Sequence, residues 1–356
     1  MVTLYVASTE TFVGKSAVCV GLLDHAQRDG LTIGYMKPVS VSVSHNETTV
    51  LHEDADFIRQ HFQLPDTLER IAPILITQAM IEQFMRGQSL DLPGRLQEAY
   101  NALMFKKQFI VLEGTNTFSE ASIVDLAADQ VSEILQAPVL LIVHYRSLLT
   151  IDEILTSQRY FGDRLLGVLI NQVPLSRVDY VRTRLVPFLE ERGIPVFGSI
   201  VEDSILAGIT VHALNEFLGG QMIGQPEWAG RVIERFMIGA MGADTALSFF
   251  LRHDNKAVIT GGDRSDLLMV ALETSTSALV LTGNRRPSAQ VIDRAEELHV
   301  PILLVTDDTL TTVERAERIF KHVRFMQTAK IKHLTELMDQ NFDFERLYDK
   351  LGLVVH

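Results

Sequence analysis

The sequence predicts an α/β fold in which helices flank a parallel β-sheet. The first half alternates short apolar runs, which are typical of strands, with longer amphipathic segments, which are typical of helices. Several of the apolar runs, such as Phe109–Leu112 and Val139–Val143, contain no polar residue, as expected of strands covered on both faces. The connections between strands and helices are short, which favours right-handed β–α–β units and hence parallel strands.

The individual elements of the first half follow from this alternation. The candidate strands are the β-rich runs Thr3–Ala7, Thr32–Met36, Phe109–Leu112, Val139–Val143, Leu165–Ile170 and Val196–Ser199. The candidate helices are the amphipathic segments Ser16–Arg28, Ala55–His61, Leu96–Phe105, Ile151–Phe161 and Val178–Glu191.

A glycine-rich stretch, Phe217–Gly230, interrupts this pattern and indicates a domain boundary. A second α/β pattern follows it, and an amphipathic helical tail ends the chain. We therefore predict a first domain at 1–215, a smaller α/β domain at 216–330 and the tail at 331–356. The predicted elements of the second half are a helix at Arg231–Ala240, strands at Lys256–Thr260, Ala278–Gly283 and Pro301–Val305, and helices at Ser288–Leu298 and Thr312–Phe320.

The composition of the sequence indicates which partners and which cell compartment to expect. Lysine and arginine number 32 against 45 aspartate and glutamate, a formal net charge of −13. Nucleic acid and anionic membranes attract positive surfaces, so we expect neither as a partner. Cys19, the single cysteine, is expected in the core and excludes an internal disulfide, which favours a reducing compartment. With no signal-peptide pattern and no apolar run of about 18 residues, we expect a cytoplasmic protein.

The stretch "STETFVGKS" lies between the first strand and the first helix. The first N–H groups of a helix have no partner inside it, and the helix dipole adds roughly half a positive charge there. A glycine lets the backbone approach an anion, a lysine supplies a cation and a hydroxyl joins a magnesium shell. The strict pattern has glycine where this chain has Thr9. The stretch therefore predicts a phosphate-binding P-loop formed by Thr11, Val13, Gly14, Lys15 and Ser16.

Polar residues at other predicted strand ends are candidates for the same site, because ligands gather at the carboxyl edge of a parallel sheet. Glu113 ends the strand "FIVLEG" and is a candidate magnesium ligand. Asp54 is a second candidate ligand or, alternatively, a helix cap, with Asp56 as its substitute. Lys37 is placed to hold a terminal phosphate or an anionic substrate. The Asn171 amide is suited either to reading an adenine edge or to forming the turn before Pro174.

In this order the motifs resemble dethiobiotin synthetase over roughly residues 1–215. The resemblance rests on "STETFVGKS", "GYMKPVS", an aspartate near the next helix, "VLEG" and "INQV". It implies a P-loop NTPase-like sheet with ATP and Mg²⁺ as cofactors. It also implies magnesium-linked roles for Ser16, Asp54 and Glu113, a substrate-holding role for Lys37 and adenine reading by Asn171. In this chain "EGTNTF" replaces the family's glycine-rich segment after the acid. The resemblance therefore supports binding of ATP and magnesium more strongly than binding of the family's substrate.

The second half resembles a DRTGG domain over Ala257–Val313. A dethiobiotin-synthetase-like domain followed by DRTGG resembles the N-terminal region of long bacterial phosphotransacetylases. Because the residues after DRTGG are too few for the acetyltransferase domain, we do not expect acetyl transfer from this polypeptide alone. Asp263, Arg264 and Arg285 form a candidate second ligand site. The alternative, which we favour, is a structural ion pair between Asp263 and Arg264 that fixes the turn or a dimer contact.

These observations lead to two hypotheses of different class. The first is a nucleotide-binding module of regulatory or assembly type, which forms a homodimer or higher homo-oligomer and contacts a protein partner in acyl-phosphate metabolism. The second is an ATP-dependent carboligase of the dethiobiotin type, in which Lys15 and Lys37 are the catalytic residues that steady a phosphorylated carbamate or carboxylate. The sequence supplies no convincing general base, and we favour the module.

Overall fold

The computed structural model describes residues 1–11, 13–42, 48–88, 91–203, 206, 208–322 and 328–354. The chain divides into two compact units. The first unit comprises Met1–Glu202 together with Thr328–His356, and the second comprises Asp203–Gln327. The C-terminal helices therefore group with the first unit by their contacts, whereas the sequence alone placed them in a separate tail.

The strands of the described residues lie in both units. In chain order they are β1 Val2–Ser8, β2 Ile33–Met36, β3 Val39–Ser42, β4 Ile74–Thr77, β5 Phe109–Glu113, β6 Val139–His144, β7 Leu165–Val173, β8 Val196–Val201, β9 Ile209–Thr210, β10 Gln221–Ile223, β11 Val232–Ile233, β12 Arg235–Ile238, β13 Lys256–Gly261, β14 Thr276–Thr282 and β15 Ile302–Leu304.

The helices of the described residues include short single turns as well as longer amphipathic segments. They are α1 Lys15–Arg28, α2 Thr48–His61, α3 Leu68–Ile71, α4 Gln78–Met85, α5 Leu92–Leu103, α6 Ala128–Ile134, α7 Thr150–Phe161, α8 Val178–Tyr180, α9 Val186–Glu190, α10 Val211–Leu218, α11 Ala243–Phe250, α12 Ser265–Leu272, α13 Ala289–Glu297, α14 Thr309–His322, α15 Thr328–Asn341 and α16 Phe344–Leu351. A π-helical turn, Val181–Leu185, joins α8 to α9.

A parallel sheet with flanking helices forms the first unit, as the sequence predicted. Its described strands have the order β2-β5-β1-β6-β7-β8, and each neighbouring pair is parallel. The strand order reverses around β1, because the chain passes to β2 on one side and later to β6 on the other. In open α/β sheets ligands bind beyond the carboxyl ends of the strands at such a reversal. The loop between β1 and α1 lies there.

The predicted apolar strands are buried because helices cover both faces of the sheet. Every residue of β5 is buried, and so are the five apolar residues of β6. Cys19, on the inner face of α1, is fully buried as well. The sequence did not predict the short parallel pair β3–β4, because each of its strands has only four residues.

The last two helices, α15 and α16, pack within the first unit against α1 and β8. The ring of Phe344 stacks on that of His25, with the centroids 3.6 Å apart. Arg28 of α1 also pairs with Asp339 of α15 at 2.8 Å. A β-bridge joins Gly198 to Phe342, and a Cβ at Gly198 would lie 2.1 Å from the carbonyl oxygen of Asn341. The helices therefore complete the sheet's cover rather than extend from it.

The second unit has a smaller sheet of its own, with the described order β10-β15-β14-β13-β12. Among the described strands of this sheet, only β10 and β15 pair in antiparallel fashion. Beside it, β9 and β11 form a two-stranded antiparallel pair. The predicted α/β character of this half is confirmed, including the strands and helices between residues 256 and 320.

The helix predicted at Arg231–Ala240 is wrong, because this segment forms β11 and β12. Its apolar residues fall in pairs four positions apart, which imitates one face of a helix. The segment is rich in β-branched and aromatic side chains, which favour strands. The open edge of β13 offers it backbone partners, so tertiary pairing decides the outcome. Among the described helices, none is both long enough and apolar enough to cross a membrane.

The ion pair between Arg346 of α16 and Glu190 of α9 predicts a pH-dependent stability. Both guanidinium Nη atoms donate to the carboxylate, at 2.7 and 2.8 Å. Through these bonds Arg346 holds the pKa of Glu190 below its ordinary 4.5. An unfolded carboxyl titrates at the ordinary pKa, so the pair stabilises the native state above that pH and loses this contribution as the pH falls through the lowered pKa. Arg346→Met should lower the free energy of unfolding in urea at about pH 7, and by less at about pH 4. An equal loss at both pH values would contradict this assignment.

Candidate functional site

The loop after β1 ends in a glycine whose backbone is left-handed. Gly14 precedes α1 with φ 88° and ψ 20°, a conformation that other residues rarely adopt. Gly14 is the N-cap residue of α1 and, having no side chain, makes no side-chain capping bond there. The first N–H groups of the helix are therefore available to an anion, which the helix dipole also favours. Lys15 and Ser16 are the first two residues of α1, so both side chains begin at this terminus.

Gly14 also meets a neighbouring strand. An added Cβ would lie 2.6 Å from Nδ2 of Asn171, which lies near the carboxyl end of β7. The Asn171 amide donates from Nδ2 to the carbonyl oxygen of Val13 at 2.7 Å. Its Oδ1 accepts from the backbone N–H of Gln172 at 2.9 Å. The structure therefore brings Asn171 to the loop itself.

Lys15 lies among charged groups of two other strands. Its ammonium donates to Oγ of Ser8 at 3.2 Å, across the loop. Burial lowers the pKa of Lys15, the nearby Glu113 carboxylate opposes that shift, and Lys37 adds to it. Glu113 and Lys37 are thus both close enough to Lys15 for their charges to affect its pKa. An anion bound there would favour the charged form of Lys15.

Glu113 is a buried carboxylate with two hydroxyl donors. It is only 2% exposed. Ser16 donates to Oε1 at 2.7 Å, and Tyr35 donates to Oε2 at 2.8 Å. Burial, together with the Glu113 charge, raises the pKa of Tyr35 well above its ordinary value, so this hydroxyl remains a donor at neutral pH. The sequence predicted Ser16 and Glu113 as site residues. It predicted Tyr35 only as part of a strand.

The remaining predicted residues of the first unit differ in their surroundings. Lys37 follows β2 and is 8% exposed. Asp54 is half-buried on α2, and its charge contributes to the raised pKa of Tyr35. Because α2 begins at Thr48, Asp54 is inside the helix, and its interpretation as a cap is wrong. The substitute, Asp56, is held on its own helix by Arg59 at 2.7 Å and by Gln60 at 2.6 Å. Thr11 is exposed in the loop.

An ion pair that the sequence did not predict joins the loop to the residues after β6. Glu10 of the loop pairs with Arg146, just after β6, at 2.6 Å. His144 approaches the same carboxylate at 3.4 Å, and burial lowers the pKa of this imidazole while Glu10 opposes the shift. Thr9 donates to Glu153 of α7 at 3.1 Å. A polar contact thus replaces the glycine of the strict motif.

The segment after Glu113 folds back on itself. Gly114 packs against β1, where an added Cβ would lie 2.8 Å from the Tyr5 hydroxyl and 2.9 Å from the Val6 carbonyl. This close approach accounts for the glycine at this position. Asn116 donates its backbone N–H to Glu120 at 2.9 Å, which closes a turn after β5. Ser8 donates to the Asn116 carbonyl at 3.0 Å, so the turn is joined to β1.

The three residues of the predicted second site have separate partners in the second unit. Asp263 pairs with Arg285, whose side chain comes from the turn after β14. Arg264 donates to the carbonyl oxygen of Met241 at 2.8 Å. The favoured pairing of Asp263 with Arg264 is therefore wrong, because the β14 turn brings Arg285 closer. Gly262 permits this approach, since a Cβ there would lie 1.8 Å from the Arg285 carbonyl.

The donor set around Glu113 fits a small hard cation. Carboxylate and hydroxyl oxygens are the ligands that Mg²⁺ prefers, and it usually takes one or two carboxylates besides water and phosphate. Oε1 of Glu113 and Oγ of Ser16 lie 2.7 Å apart beside the start of α1. Within the described residues, no three His, Cys, Asp or Glu side chains gather as a metal cluster. The carboxylate of Glu113 and the hydroxyl of Ser16 are oxygen ligands compatible with a magnesium site that phosphate and water complete.

A parallel sheet, a loop after its interior strand, and lysine and serine opening the next helix define a P-loop nucleotide-binding domain. Residues 2–210 match the family model of an AAA domain, and residues 213–319 match that of the DRTGG domain. The first match covers more than half of the sequence. The chain therefore belongs to this AAA-domain family, and a DRTGG domain follows the P-loop domain.

The relatives confirm the resemblances drawn from the motifs. Phosphate acetyltransferase of Synechocystis sp. is 24% identical over 99% of this chain and 52% of that protein. ATP-dependent dethiobiotin synthetase BioD of Aromatoleum aromaticum is 29% identical over 42% of this chain and 70% of that protein. Among solved structures, the CBS and DRTGG domains of Clostridium perfringens pyrophosphatase align with a TM-score of 0.27 and 15% identity, over 46% of this chain and 76% of that one. The chain spans about half the length of the phosphate acetyltransferases it matches.

A rescue experiment tests whether Arg146 neutralises the Glu10 carboxylate in the loop. Arg146→Gln leaves the Glu10 carboxylate without its cation in a loop that accommodates an anion, so nucleotide affinity should fall about five- to tenfold by charge repulsion. Glu10→Gln in the same chain should restore most of that affinity. Titration calorimetry of the two single variants and the double variant at low and high salt measures both effects. If the double variant binds as weakly as Arg146→Gln, Arg146 contacts the nucleotide directly and the neutralising role is wrong.

Proposed function

We propose that this chain is a MgATP-binding regulatory or assembly module of the phosphotransacetylase N-terminal type, without acetyltransferase activity of its own. One observation carries the proposal. Lys15, Ser16, Lys37 and Glu113, which come from three separate parts of the sequence, converge at the carboxyl edge of β1, β2 and β5. A fold that needed only packing would not place the buried Glu113 and Lys37 beside the half-buried Lys15, because their desolvation is costly.

In this proposal each residue has a distinct task. The N–H groups at the start of α1 and the Lys15 ammonium hold the phosphates, and Lys37 holds the terminal phosphate. Bound Mg²⁺ would neutralise phosphate charge and fix the phosphate geometry. Ser16 and Glu113, with Asp54 from α2, would hold the ion directly or through water, while Tyr35 keeps the carboxylate oriented. Thr11 and Val13 line the loop.

The segment after Glu113 favours the module over the ligase. A second substrate needs an open, polar surface next to the terminal phosphate. Here the polar groups of this segment are engaged within the chain: Asn116 and Glu120 close a turn through their own hydrogen bond, and Ser8 at the end of β1 donates to that turn. The ligase of dethiobiotin type remains the second candidate, because both lysines and both acids of that resemblance are present.

The role of the DRTGG half follows as part of the proposal. We place in it the contacts with a second copy of the chain, to give a homodimer or higher homo-oligomer, and with a protein partner in acyl-phosphate metabolism. Asp263, Arg264 and Arg285 remain a candidate second anion site, since Arg285 is 64% exposed on its side chain despite its ion pair. Regulation requires that the nucleotide bind two arrangements of the protein with different affinity.

Substitution of the loop lysine tests the proposal. Lys15→Ala should weaken MgATP binding about 10- to 100-fold in titration calorimetry, because a hydrogen bond to a charged group contributes about 1.5–3 kcal/mol. Lys332→Ala, which removes an exposed lysine of α15, is the matched control and should bind as wild type does.

Phosphate release measured on the same samples separates the two candidate functions. Slow hydrolysis that no second substrate accelerates supports the module. Turnover stimulated by a diamine or a carboxylate supports the ligase. Failure of the wild-type chain to bind ATP or ADP with magnesium would refute both.

A further inference from the structure

Strand β12 lies at an open edge of the sheet in the second unit. It pairs with β13 on one side, and no strand of the described residues pairs with its other side. Such an edge presents backbone N–H and C=O groups to any strand that can approach it. Proteins often block an edge of this kind with lysine or proline, and β12, which reads "RFMI", contains neither. The edge is therefore open to pairing.

Helix α11 lies on the same side of the unit as this edge. The buried side chains of α11, α12 and α13 belong to one apolar core, so the three helices cover the same face of the sheet. Each of them connects two neighbouring parallel strands, and α11 is the connection from β12 to β13. Helix α12 contacts both α11 and α13, which makes α11 the outermost of the three, next to β12.

The outer side of α11 is apolar but exposed. The N–H of Leu251 donates to the carbonyl of Leu247, so these two leucines lie one helical turn apart on the same side. They are 65% and 43% exposed, whereas Ala246 and Phe250, one position earlier, are buried in the core. Ile238, the last residue of β12, is exposed as well. An open backbone edge and exposed apolar side chains therefore occur together.

A second copy of the chain supplies everything that this edge lacks. Two copies of β12 that pair in antiparallel fashion about a twofold axis use one surface twice, as a symmetric dimer requires. An axis perpendicular to the sheet keeps the helices of both copies on the same face. The exposed leucines of α11 would then meet those of the second α11. A single strand from another protein would cover the edge and leave these leucines in water.

The charge of this surface is also compatible with self-association. Residues 234–252 contain two acids, Glu234 and Asp244, and two arginines, Arg235 and Arg252. The formal charge of the segment is therefore 2 − 2 = 0, whereas that of the whole chain is −13. Like charges that meet across an interface oppose binding, so a neutral segment is the part of an acidic chain that can best face its own copy.

We propose that the open edge of β12 and the outer side of α11 form a homodimer interface, in which the sheets of two second units join into one continuous sheet. This inference deepens the proposed function, because it rests on the homodimer placed in the second unit and names the surface that forms it. Because β12 has only four residues, its backbone bonds set the geometry, and the leucines of α11 supply apolar contact.

Substitutions on the outer side of α11 test this interface. Leu247→Asp and Leu251→Asp would each bring a carboxylate close to its own copy, and each should raise the dimer dissociation constant at least about tenfold. Analytical ultracentrifugation over a range of protein concentrations measures this constant. Leu310→Asp is the matched control, because Leu310 is an exposed leucine of α14 on the other face of the sheet. It should dissociate as wild type does.

Deuterium exchange tests whether β12 itself pairs. Its amides should exchange more slowly at protein concentrations above the wild-type dissociation constant than far below it. The amides of β10, at the opposite edge of the sheet, should exchange alike at both concentrations. A monomeric wild type, an unchanged dissociation constant in both α11 variants, or slower exchange at β10 instead of β12 would each overturn the proposal.

Titration of wild type with MgATP keeps this inference separate from nucleotide binding. A chain that binds MgATP but stays monomeric would refute the interface and leave the nucleotide site intact. A chain that dimerises through β12 and α11 but binds no nucleotide would support the interface and refute the nucleotide-binding module.

Discussion

The site depends on one buried carboxylate. Glu113 is the last residue of an otherwise apolar strand, where a charge is tolerated only with donors and cations around it. Ser16 and Tyr35 supply the donors, and Lys15 and Lys37 supply the positive charge. Removal of any one of them would leave the charges and hydrogen bonds of the others unbalanced in a poorly solvated place, so we expect their effects on binding to be coupled.

The parallel sheet makes this convergence possible. β1, β2 and β5 are neighbours with the same direction, so the residues that end them meet at one edge although they are far apart in sequence. β7 reaches the same edge and contributes Asn171 to the loop. Helices α15 and α16 lie against α1 and β8, so the helix that begins with Lys15 is supported from the C-terminal end of the chain as well.

Short sequence patterns predicted much of the first sheet and several residues of the candidate site. The uninterrupted apolar runs predicted the strands of the first sheet, and the spacing of Gly14, Lys15 and Ser16 predicted the loop at its edge. Lys37 and Glu113 were also predicted, because strand ends on one edge of a parallel sheet meet. Each of these inferences needs only a short window of sequence together with the rules of sheet geometry.

Contacts between distant segments could not be predicted in that way. Tyr35 looks like any buried strand residue until Glu113 is seen opposite its hydroxyl. Nothing in the sequence predicts that Glu10 pairs with Arg146 or that Asp263 pairs with Arg285. The segment Arg231–Ala240 imitates a helix, and only the free edge of β13 turns it into strands.

The central claim is that Glu113 links the loop to magnesium, and its most direct test is the magnesium dependence of ATP affinity in Glu113→Gln. Calorimetric titrations with and without a chelator give this dependence for wild type and variant. We predict that magnesium strengthens ATP binding in wild type and has little effect in the variant, since the amide keeps the shape of the side chain but loses its charge. The same magnesium dependence in both proteins would contradict the account.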